Sequence, residues 1–143
     1  MRYQGDTSRG TGIDAQGNCN EFDGFSVVAF GNLPTDADTI TLGGACQSYY
    51  VRQDAWDELA ESNIKLNKAD ATWTTSATSD SCKNRYGVET VMTHERGHTF
   101  GLDDLSEANH RNLTMSGLIN GPCQDSENTL GEGDADGLNV KYP

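Results

Sequence analysis

Residues 84–104 read Asn84-Arg85-Tyr86-Gly87-Val88-Glu89-Thr90-Val91-Met92-Thr93-His94-Glu95-Arg96-Gly97-His98-Thr99-Phe100-Gly101-Leu102-Asp103-Asp104. Val88, Val91 and Met92 recur at helical spacing, and Gly101 stands where a left-handed residue would end the helix, so a helix is expected over about 85–100. Imidazoles at i and i+4 share one helix face, which lets His94 and His98 reach a single zinc ion. A glycine stop at Gly101 turns the chain sharply, and Asp104, three residues on, can return its carboxylate to the same point. Two histidines and one carboxylate leave a coordination position open for water, the pattern of a catalytic zinc rather than a structural one. Glu95 follows the first histidine directly and is placed to take the proton of that water as general base.

Working outward, Phe22–Phe30 carries a β-branched and aromatic run and Thr39–Leu42 alternates, so both are expected as strands, with a turn around Pro34–Asp38 between them. Should these strands form an antiparallel hairpin centred near Asn32-Leu33, Cys19 faces Cys46 and a bridge between them fits the register. Cys82 is then left for Cys123 by elimination, although four cysteines allow three connectivities. Gln53–Glu61 is expected as a short helix through Trp56 and Leu59, Asn63–Asn67 as a third strand, and 68–83 as polar loop anchored by Trp73. A last short helix is expected after Gly131-Glu132-Gly133, with Asp134 as its N-cap. The whole is an α+β domain with a mixed sheet over the helix that carries the histidines.

The chain has 143 residues, the size of one domain. Its 10 Lys+Arg against 22 Asp+Glu give a net charge of −12, which disfavours nucleic acid and anionic membrane as partners. No apolar run exceeds about five residues, so membrane insertion and a signal peptide within these residues are not expected. Cys19, Cys46, Cys82 and Cys123 form no Cys-x-x-Cys pair, which favours disulfides over a thiolate metal site and so an oxidising, extracellular compartment. Nothing resembling Gly-x-Ser-x-Gly offers a rival nucleophile.

His94–Asp104 resembles the metzincin zinc signature, His-Glu-x-x-His-x-x-Gly-x-x-His/Asp, in its aspartate form. Leu113-Thr114-Met115-Ser116-Gly117 is similar to the methionine-bearing turn of that family, with Met115 as the residue carried over. Glu61–Asn67 resembles the strand before the active-site loop, and Gly133–Tyr142 the closing helix. The resemblance implies a secreted, monomeric zinc endopeptidase that acts on protein or peptide substrates. It implies a catalytic domain over 1–143, divided into an N-terminal part, 1–101, and a C-terminal part, 102–143, with the methionine turn and the final helix. Ile40, Thr41, Leu42, Gly43 and Gly44, within Ile40–Cys46, would be the edge against which an extended substrate pairs. The segment after Met115, through Gly121-Pro122-Cys123, would wall the pocket beyond the cleaved bond.

Family members begin with a strand and a long helix, and nothing before Phe22 has the length or apolar period for that helix. Uncovered apolar sheet surface is the corresponding expectation, and with it a truncated chain, a supplied partner or poor stability. Other assignments stand beside the leading one. The third ligand is Asp104 by spacing, with Asp103, His110, Glu127 or Glu132 as substitutes. The acidic stretches Asp14–Asp23 and Asp36–Asp38 offer oxygens for Ca²⁺, without the spacing of a calcium loop. The rival function is a catalytically inactive metzincin-like binding module.

Overall fold

The computed structural model describes residues 4–53 and 57–142. Strands β1 (Val28–Gly31), β2 (Gly43–Tyr50) and β3 (Glu58–Asn67) form a mixed three-stranded sheet in the order β1-β3-β2. β3 runs parallel to β1, with Val28 opposite Ile64 and Phe30 opposite Leu66, and antiparallel to β2, with Gly43 opposite Leu66 and Cys46 opposite Asn63. Strands β4 (Trp73–Thr74) and β5 (Tyr86–Gly87) make a short parallel pair that leads straight into α1 (Val88–Thr99). Beyond it come α2 (Glu107–His110) and α3 (Glu132–Lys141). The molecule is thus a small mixed α+β protein.

Alternation along β3 divides its two faces. Ile64 and Leu66 point to one side and pack with Val91 of α1, with Leu42, Ala45, Trp73, Val88, Met92 and Ile119 around them. Each such fully buried aliphatic side chain contributes about 1.5–3 kcal/mol, so this contact is the main hydrophobic link between the sheet and α1. The opposite side of β3 presents Glu61, Asn63 and Lys65, and a long N-terminal loop covers it by hydrogen bonds. Glu61 Oε2 accepts from the Gly24 amide at 2.6 Å, Asn63 Oδ1 accepts from Val27 N at 2.8 Å, and Lys65 Nζ donates to the carbonyls of Ile13 and Asp14. Ile13, Leu33 and Cys46 form a small buried cluster there, and the Cys19–Cys46 disulfide ties the loop to β2.

Several expectations change. Of Phe22–Phe30 only Val28 to Phe30 is strand, because the stretch before it is held through side chains instead of by a ladder: Gly24 N donates to Glu61, Val27 N to Asn63, and Ser62 N to Ser26 Oγ. Thr39–Leu42 is not a strand either; Ile40 makes an isolated bridge to Thr35, and β2 begins at Gly43. The expected hairpin does not form, since β3 lies between β1 and β2. Cys19 still bridges Cys46, and Cys82 bridges Cys123. The expected helix over Gln53–Glu61 is replaced in its second half by β3, whose pairing with β2 extends past a bulge at Ser48/Tyr49; residues 54–56, with Trp56, lie outside the described residues. Asp134 is not the N-cap of α3: Gly131 is, and Asp134 sits three residues later with its carboxylate turned back to the Gly131 amide at 3.0 Å.

α1 packs on β2 and β3, and the same side of the sheet continues uncovered at β1, where Val28 and Phe30 are 51% and 49% exposed. Uncovered apolar sheet surface is therefore present at this edge. Asp14, in an acidic stretch considered for Ca²⁺, spends its carboxylate on the amides of Gln16 and Asn18 and the side chains of Asn18 and Asn20. Those donors hold its pKa down at about 2. They satisfy the carboxylate without a cation.

Candidate metal centre

His94 and His98 project from successive turns of α1, and the chain after Gly101 brings Asp104 back to them. Gly101 has φ +80°, and its amide bonds to His98 O while the Leu102 amide bonds to Gly97 O, the paired closure of a Schellman stop. The His94 and His98 Nε2 atoms lie 3.1 Å apart, and Asp104 Oδ1 is 3.3 Å from the first and 3.5 Å from the second. Among the described residues this is the only group of three or more such side chains whose donor atoms converge. His110 hydrogen-bonds Ser106 O, Glu127 accepts from Asn120, and neither these nor Asp103 and Glu132 join the group.

Each ring is oriented through its other nitrogen. His94 Nδ1 donates to Thr114 O and His98 Nδ1 to Leu102 O, both at 2.8 Å, which leaves the two Nε2 lone pairs facing each other beside a carboxylate oxygen. Burial pushes the His94 pKa down, against the pull of the Thr114 carbonyl, and so favours the neutral ring that a metal requires. Two imidazole nitrogens, each anchored from behind, and one carboxylate fit a zinc ion by the chemistry of the donor set.

Glu95 is 4% exposed and lies on the side of α1 that meets β2. Burial, with the Asp104 charge adding to it, raises its pKa to about 8. It fits there because of Gly43: a Cβ at that position would collide with the Glu95 carboxylate and with Val91. Glu95, His94, His98 and Asp104 open onto a cleft of about 480 Å³. Ile40, Thr41, Leu42, Gly43 and Gly44 line one side of it and Ser116, Gly117, Leu118 and Ile119 the other. The wall ends at Ile119; Gly121 to Cys123 do not line it, and Cys123 instead bonds back to Arg85 O and to Cys82.

Met115 is fully buried directly beneath α1, and its sulfur occupies the place a Cβ at Gly97 would take. Leu105 N donates to Met115 O at 2.7 Å, which ties this turn to the strand-like segment leaving Asp104. Sequence reasoning passed over Gly97, and it named Gly43, Thr114 and Asp134 only as parts of the substrate edge, the methionine turn and the start of the last helix. Gly97 carried a usable signal, since glycine inside a helix costs about 1 kcal/mol relative to alanine and needs a packing reason. The role of Gly43 beneath Glu95, and of Thr114 and Asp134 behind His94, depends on long-range packing and leaves no local pattern.

Comparison of the chain with family models, with curated proteins and with solved structures returned no match.

Proposed function

We propose that the chain is a secreted zinc-dependent endopeptidase of the metzincin type. The single observation that carries this reading is the convergence of His94 Nε2, His98 Nε2 and Asp104 Oδ1 within hydrogen-bonding distance of one another, at the floor of a cleft that also contains Glu95. Zinc held by these three side chains supplies Lewis acidity to a water and to the scissile carbonyl. Glu95 takes the proton of the attacking water and passes it to the leaving amine nitrogen. Its burial keeps it close to neutral until a cation stands nearby, so its basic form and the bound metal come together.

An extended peptide would lie along Ile40–Gly44, with Ser116–Ile119 opposite, and Gly43 would keep the backbone of that edge close to Glu95. Met115 packs against α1 at Gly97, between the two histidines in sequence. The two disulfides, and the absence among the described residues of a helix able to cross a membrane, agree with an extracellular setting. The test is a zinc titration paired with cleavage of an internally quenched peptide. One zinc per chain and cleavage that returns on adding zinc to the chelator-treated protein are expected; tight zinc binding without cleavage of any peptide would favour a binding module.

A further inference from the structure

Both zinc-binding histidines take their orientation from carbonyl groups, and each of those carbonyls belongs to a segment that α3 holds. At the start of α3, Asp134 is 2% exposed, and its Oδ2 accepts from Gly131 N at 3.0 Å and from Thr114 N at 3.2 Å. Thr114 O is the acceptor for His94 Nδ1. Thr114 is fixed a second time, its hydroxyl donating to Thr129 O at 2.7 Å. At the other end of α3, Lys141 Nζ donates to Gly101 O and the Tyr142 hydroxyl to Phe100 O, both at 2.9 Å. The next carbonyl along, that of Leu102, accepts from His98 Nδ1, and the same turn delivers Asp104.

We propose that α3 is the positioning element of the metal centre, setting His94 through Asp134 and Thr114, and setting His98 and Asp104 through the grip of Lys141 and Tyr142 on the turn at Phe100-Gly101. This rests on the zinc reading above and adds to it the identity of four positioning residues, Asp134, Thr114, Lys141 and Tyr142. None of them reaches the donor atoms. The chemistry is that of outer groups around a metal: an imidazole swings about its Cβ–Cγ bond unless its second nitrogen is held, and the holder must itself be held. Asp134 is suited to this because it is buried beside the histidines, and its Oδ1 finds no hydrogen-bond partner among the described residues, so it is not spent elsewhere. Lys141 also places its charge at the carbonyl end of α1, where helix dipole and cation attract. Gly101 allows the lysine stem to lie flat on the turn, since a Cβ there would meet Lys141.

The experiment measures zinc affinity by competition with a chromogenic chelator, and the visible spectrum of the cobalt(II)-substituted full chain. Three variants are compared with the parent: Asp134→Ala, Asp134→Asn, and the double substitution Lys141→Met with Tyr142→Phe. Removal of an outer hydrogen-bonding group weakens metal binding by roughly 10- to 100-fold. Asp134→Ala is expected in that range with a changed cobalt spectrum. Asp134→Asn keeps an oxygen acceptor for both amides and is expected to recover most of the affinity. The double variant, at exposed positions, is expected to weaken zinc about 3-fold and to alter the cobalt bands without loss of fold.

A purely structural role for α3 would lower the melting temperature and leave both zinc affinity and cobalt spectrum unchanged; that result overturns the proposal. Should Asp134→Ala fail to fold, the double variant decides, and an unaltered cobalt spectrum in it counts against the proposal. A parent chain that binds neither metal overturns the zinc reading itself, and the two failures are thereby told apart.

Discussion

Gly43 and Gly97 let two large side chains occupy space next to backbone, Glu95 against β2 and Met115 beneath α1. Gly43→Ala is expected to push the Glu95 carboxylate off its position and lower kcat at least 10-fold with zinc content kept, while Gly44→Ala, whose Cβ would meet nothing within 4 Å, leaves the fold unchanged as the control. Steady-state kinetics with metal analysis reads both. Gly97→Ala overpacks Met115, which outweighs the gain in helix propensity, so a loss of about 1–2 kcal/mol should appear in thermal unfolding. Asp104→Ala should abolish zinc binding at concentrations where Glu127→Ala and Glu132→Ala retain it. The donor residues and Glu95 were legible from spacing alone, because i, i+4 periodicity and a glycine stop are local properties of the chain. Their supporting contacts were not, because a Cβ collision across 48 residues of sequence separation, as between Gly43 and Val91, or across 52, as between Gly43 and Glu95, has no local trace.

Among the elements, α1 was legible and the sheet was only partly so. Val88, Val91 and Met92 mark one helical face, and that face does pack on Ile64 and Leu66. The strand beginning at Glu58 was expected as the end of a helix through Trp56 and Leu59, and pairing with β2 overrides that spacing. Parallel pairing of β1 with β3 joins residues 36 apart, such as Val28 and Ile64, and no turn chemistry announces it. Cys19–Cys46 was reached from a hairpin that does not exist; the bridge instead clamps the N-terminal loop over the polar side of β3. The two bridges close separations of 27 and 41 residues, for which chain entropy gives about 3.5 and about 4 kcal/mol. Cys19→Ala with Cys46→Ala should therefore lower stability by up to about 3.5 kcal/mol in urea unfolding, and free the loop that carries Gly24 and Val27 from its protection against hydrogen exchange.

At the scale of the whole molecule, titration of Glu95 enters stability. Its pKa is about 8 in the folded chain without metal and about 4.5 when unfolded. A raised carboxyl stabilises the fold fully below the lower value, and that contribution is lost as the pH climbs to the higher one. Stability of the metal-free protein should fall between pH 6.5 and 8 by up to about 1.4 kcal/mol per unit, and Glu95→Gln should flatten the slope. His94, whose pKa burial lowers, acts with the opposite sign below 6.5 and leaves that window to Glu95.

The net charge of −12 is spread over a molecule whose cleft is lined by Asp103 and, among the described residues, by no lysine or arginine. Peptides with basic residues flanking the cleaved bond should show higher kcat/KM than acidic counterparts, with the difference shrinking as salt is added. The central claim is metal-dependent hydrolysis with Glu95 as base, and it is tested most directly by digestion of unfolded casein with the parent chain and with Glu95→Ala, each with and without a zinc chelator. The account predicts cleavage by the chelator-free parent, at least 100-fold above the other three reactions. Equal cleavage by Glu95→Ala, or cleavage that survives the chelator, would contradict it.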